Sequence, residues 1–153
     1  MVEKTSKITV RVEDEHEALN RDLKNIKAEM NCEVTEEEFH GWKRNFVRLL
    51  RNYRNVLLNH HGSEEDGGFM SELVSSAPRI SGKVEKLQAE HGQFIRRLDD
   101  IIGDLKVMDN IEQARMNNIC ERLKQLVKDL FAHEDAEKEL INKVYYEDIG
   151  EST

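Results

Sequence analysis

Apolar residues recur at alternating steps of three and four along four successive segments of this chain, a period that admits helices and little else. The first segment, about residues 10–31, carries His16, Leu19, Leu23, Ile26 and Met30 on one stripe. The second, about 35–74, runs through Phe39, Trp42, Phe46, Leu49, Tyr53, Val56, His60 and Glu64. The third, about 81–107, has Val84, Leu87, His91, Phe94, Leu98, Ile101 and Leu105. The fourth, about 111–146, has Ile119, Leu123, Leu126, Leu130, His133, Glu137, Leu140 and Val144. One proline, Pro78, and eight glycines in 153 residues leave few places for such segments to break.

Local signals set the ends. Thr35 with Glu38 has capping-box spacing and is expected to start the second helix. Gly67-Gly68 loosens that helix, and Ser75-Ser76-Ala77-Pro78 ends it. Ser81 is expected to cap the third helix. Asn31 to Val34 and Met108 to Asn110 read as short connections, and the tail 147–153, without periodicity, is expected to fray. Short connections favour antiparallel neighbours. The expected fold is therefore all-α: one domain over 1–153, an up-down-up-down antiparallel four-helix bundle.

The formal charge of −8 argues against a nucleic-acid partner, because phosphate binding rests on clustered Lys and Arg. Basic pairs such as Arg96-Arg97 are bracketed by acids. No apolar run approaches the roughly 18 residues of a membrane span, and the opening Met1-Val2-Glu3-Lys4 leads into no secretory signal. Cys32 and Cys120 are isolated thiols without CxxC spacing. A reduced cytoplasmic setting is the expectation.

Each stripe also contains a histidine, and two of them have a glutamate one turn on: His60-x-x-x-Glu64 and His133-x-x-x-Glu137. In an up-down bundle His16 and His91, early in their helices, share a layer with His60 and His133, which come late. The two halves echo each other, since His16 to His60 spans 44 positions and His91 to His133 spans 42. A single histidine on an apolar face usually packs or hydrogen-bonds. Four of them with two carboxylates, and no Lys or Arg on the stripes, leave buried charge without a partner, which costs several kcal/mol. A cation supplies that partner.

His and Glu at i, i+4 reach one centre from one helix face. His16, His60, His91, His133, Glu64 and Glu137 together offer four nitrogens and two carboxylates. A closed zinc site needs four ligands, so six point to two ions with the glutamates between them. Imidazole mixed with carboxylate suits Fe, Mn or Zn better than Mg or Ca. His61 and Glu65 repeat the spacing but lie about 100° round the helix from the stripe through Val56, which predicts a solvent-facing or outer pair. His40 lies at the far end of its helix and is expected to be a bystander.

The stretches Glu15-His16-Glu17-Ala18-Leu19, His60 through Phe69, Glu90-His91 and His133 through Glu137 follow one another along nearly the whole chain. In this the chain resembles the hemerythrin-like family, the HHE cation-binding domains. The resemblance implies two non-haem iron ions joined by an oxo or hydroxo bridge, with O2, nitric oxide or redox chemistry at an open position. Oxygen-carrying hemerythrins use a fifth histidine on the third helix, where this chain has Leu87 and Ile95 one turn either side of His91. Two six-coordinate irons take about twelve contacts, and the six side chains with a bridge leave about two for water, a small ligand, or Tyr53 or Glu65.

The expected function is that of a di-iron protein binding O2 or a related small ligand, nitric oxide or peroxide, for sensing, storage or redox response. Two alternatives stand beside it: a di-iron enzyme that consumes peroxide or repairs iron centres, and a metal-free helical interaction module. No Ser-His-Asp constellation or phosphate loop offers other chemistry. The sequence identifies no protein partner.

Overall fold

The computed structural model describes residues 2–30, 33–65 and 68–147. Four long helices, α1 (Val2–Met30), α2 (Phe39–Glu65), α4 (Ser81–Val107) and α5 (Gln113–Asn142), carry the periodic segments. A short helix α3 (Phe69–Ser76) and a 3₁₀ turn, Pro78–Ile80, lead into α4, and a π-helical turn, Lys143–Glu147, extends α5. No strand occurs among the described residues, and none of the helices is long and apolar enough to cross a membrane.

Three boundaries differ from the expectation. Helix α1 begins at Val2 instead of near residue 10, reaching past the apolar stripe. The single helix expected over 35–74 is two, divided after Glu65. Gly68 allows the chain to turn there: a Cβ on it would lie 2.0 Å from the Ser63 carbonyl oxygen, so only a residue without one fits against the end of α2. Ser81 is the first residue of α4 and no cap. Ile80 precedes it with no side-chain bond, because the 3₁₀ turn already delivers the chain in helical geometry.

Thr35 behaves nearly as expected, its Oγ1 accepting from the Glu38 N–H at 3.3 Å in a turn that runs directly into α2. The expected connection residues Asn31 and Cys32, Gly67, and the tail beyond Glu147 lie outside the described residues.

Helix α2 packs against α1 and α4, and α5 packs against α4 and α1. The buried side chains form two apolar clusters. The larger takes Leu19 to Ile26 of α1, Phe39 to Leu57 of α2, Phe94 to Leu105 of α4 and Ile119 to Leu130 of α5. The smaller takes Phe69, Met70 and Leu73 of α3, Val84 and Leu87 of α4, and Leu140, Ile141 and Val144. Along α4 the sequence passes from one to the other at His91, and along α5 at His133 and Glu137. A layer of histidine and glutamate thus separates two dry cores.

Candidate metal centre

Eight histidine and glutamate side chains are buried among the described residues: His16, His60, His61, Glu64, His91, His133, Glu134 and Glu137. Two groups of four have ligand atoms within 4.8 Å of one another, His16/His60/Glu64/Glu137 and Glu64/His91/His133/Glu137. All six residues expected from the sequence are therefore brought together, and Glu64 and Glu137 belong to both groups.

His61 forms a third group with His91 and His133. Its expected place facing solvent or outside the cluster is corrected: it is 3% exposed, and its ring stacks on that of His91 with centroids 3.7 Å apart. The reason is the position of the buried arc on α2. Its core residues include Leu50 and Leu57, whereas Val56, on the expected stripe, is 45% exposed. Leu57 lies one turn before His61, and that spacing was the signal that pointed inward. Glu65 is half-buried, with Oε1 3.7 Å from His91 Nδ1. His40 is exposed at the start of α2.

The cluster is cross-braced. Glu137 pairs with His133 Nε2 at 2.5 Å and with His16 Nε2 at 3.1 Å, so α5 is tied to α1 through it. Glu64 pairs with His60 on its own helix and lies 3.6 Å from His91 Nε2. On the outer side, Glu90 Oε2 is 2.9 Å from His133 Nδ1, and Glu15 Oε2 is 2.8 Å from His60 Nδ1 but out of line for a hydrogen bond. A carboxylate on the outer ring nitrogen holds the other nitrogen inward with its lone pair available.

Electrostatics sets the two shared carboxylates apart. Burial pushes the Glu64 carboxyl up to about 8, against the pull of His60 and with the repulsion of Glu137. Burial acts on Glu137 in the same sense, but His133, His16 and His91 outweigh it and hold this carboxyl well below its ordinary range. For His133, burial disfavours the charged form, yet Glu137 and Glu90 raise its pKa to about 8. His61, buried and facing His91, His133 and His60, is pushed down to about 2. It stays neutral. Tyr53, 2% exposed, is likewise held in its neutral form by burial and by Glu134 and Asp22.

The residues present fit a metal. His61 Nδ1 and His16 Nδ1 are buried without a hydrogen bond, and the Glu64 oxygens, though ion-paired with His60 and His91, are buried without one in hydrogen-bond geometry. Such orphaned atoms are costly unless something else binds there. The donor set mixes imidazole nitrogen with carboxylate oxygen and contains no thiolate, the preference of first-row divalent ions. A cleft of about 430 Å³ between α4 and α5, lined in part by Glu90, Phe94, Ala132, His133 and Ala136, reaches the cluster from outside.

No curated protein and no solved structure matches the chain. A family model does, over residues 7–145, covering α2, α4, α5, most of α1 and every residue of the cluster. The chain belongs to the hemerythrin family, the hemerythrin HHE cation-binding domain.

Proposed function

We propose that this chain holds two metal ions, iron before manganese or zinc, and takes O2 or a related small ligand such as nitric oxide or peroxide beside them for sensing, storage or redox response. The observation that carries this reading is the sharing of Glu64 and Glu137 between two four-residue groups, since carboxylates common to two donor sets are what a pair of ions requires. His16 and His60 would serve one ion, and His61, His91 and His133 the other. An up-down-up-down antiparallel course of the long helices accounts for the meeting of early His16 and His91 with late His60 and His133.

His61 supports the reading further by supplying the fifth histidine that the third helix lacks. Five nitrogens and two bridging carboxylates fill nine of about twelve positions, and the remainder suit a bridge and a small ligand. Bound iron would supply the redox change and the open position. The protein's own part is to hold Nε2 of His133 inward through Glu90, to keep His61 neutral, and to exclude water between two apolar cores.

The test is elemental analysis of protein expressed with ample iron. About two irons per chain, with charge-transfer absorption in air that is lost in His60→Ala, are expected. Well under one iron per chain overturns the reading.

A further inference from the structure

The two halves of the chain can be aligned residue by residue. His91 follows His16 by 75 positions, and His133 follows His60 by 73. The same offsets carry Glu15 to Glu90, Leu23 to Leu98 and Ile26 to Ile101, and Leu50 to Leu123, Leu57 to Leu130 and Glu64 to Glu137. Every one of these apart from the Glu15/Glu90 pair is buried. The contacts repeat too. Glu15 faces His60 Nδ1 as Glu90 faces His133 Nδ1, and His16 Nε2 reaches Glu137 as His91 Nε2 reaches Glu64.

Under this correspondence His61 of α2 maps onto Glu134 of α5. His61 lies with His91 and His133. Its counterpart should lie with His16 and His60. Glu134 is indeed buried, at 8% exposure. Instead of joining the group, its carboxylate accepts a weak bond from Asn20 Nδ2 at 3.4 Å. Asn20 maps in turn onto Ile95, which has no donor to offer and stands where none is needed. A bond at that length is one a cation readily outcompetes.

The geometry points to Glu134 as a further metal ligand, recruited from Asn20 by the ion that His16 and His60 bind. The inference rests on the proposed metal binding. It makes the two positions unlike: one with three histidines, the other with two histidines and a carboxylate that leaves its resting partner when the ion arrives and gives up its place when the small ligand binds.

Titration of the full chain with Co(II), followed by its visible spectrum and by competition with a chelator, tests this. In Glu134→Gln one of the two ions should bind 10- to 100-fold more weakly, with the other unchanged. Glu134→His, which copies His61, should restore tight binding of both. Asn20→Ala removes the competing bond but no ligand, and should tighten the same ion several-fold. Wild-type affinities and spectrum in Glu134→Gln overturn the inference. So does unchanged or weaker binding in Asn20→Ala, even where the glutamate variant does not fold. Wild-type chain that binds no Co(II) overturns instead the proposed metal function on which the inference depends.

Discussion

His61 on α2 and Glu134 on α5 occupy matching places in the two halves, yet differ in every property that bears on a cation. One is a neutral nitrogen donor stacked on His91, the other a buried carboxylate resting on Asn20. The difference spreads to their neighbours: Asn20 and Tyr53 in the α1–α2 half stand where the α4–α5 half has Ile95 and Leu126. The apolar positions between them agree. Core residues fix the spacing that brings the histidines and glutamates together, while residues at the edge of the cluster set what each position could bind. A repeated fold can thus hold two ions in two different environments.

Removing what the halves share should have the largest effect. Glu64→Gln or Glu137→Gln is expected to abolish binding of both ions at micromolar metal, seen as less than one iron per chain by elemental analysis. Retention of two irons in either variant would break the idea of a common carboxylate pair.

Stripping the metal comes next. Ions that bind the folded state should stabilise it by about 2.7–4 kcal/mol when free metal exceeds Kd by 100- to 1,000-fold. A chelator should then lower Tm by roughly 5–15 °C for a chain of this size. An unchanged Tm would instead favour histidines that merely pack.

In the metal-free chain, pH should separate the groups. His133, raised to about 8, holds a proton that an unfolded histidine releases near 6.5. Glu64, raised to about 8, also stays protonated where an unfolded glutamate does not. Folded protein therefore binds more protons than unfolded between pH 6.5 and 8, and its stability falls as pH rises through that window. His133 alone contributes on the order of 1–2 kcal/mol to this. Metal-loaded protein should show the opposite slope, because deprotonated ligands bind tighter. Urea melts at pH 6.5 and 8, with and without metal, read both signs, and equal slopes would contradict the assignment.

The smallest effect probes the polar edge of the first half. Tyr53→Phe, which moves this position toward its counterpart Leu126, should change stability by no more than about 1 kcal/mol and leave metal content intact. Loss of an ion in this variant would place the phenol among the ligands.

The four-helix pattern and six of the cluster residues were legible because both follow from a period of 3.6 and need no knowledge of distant contacts. His61 was not. Its direction depends on whether Val56 or Leu57 faces inward, a rotation decided by what α4 places opposite. Glu134 was hidden for another reason: a carboxylate beside a histidine reads as ordinary helix surface until the neighbours Asn20 and Tyr53 are in place. The break after Glu65 was visible as two glycines, but how sharply the chain turns there depends on how closely Gly68 approaches Ser63.

The charged layer between the two apolar cores also bears on cooperativity. Dry packing is interrupted at His91 on α4 and at His133 on α5, so in metal-free protein little but the helix backbones joins the smaller core to the larger. The smaller core, with the eight-residue α3, is then the part that opens at least cost. Such an opening would widen the path to the ligands beyond the cleft between α4 and α5. Once bound, it welds the two cores into one unfolding unit, and amide exchange in α3 should slow by a larger factor than exchange in the middle of α4.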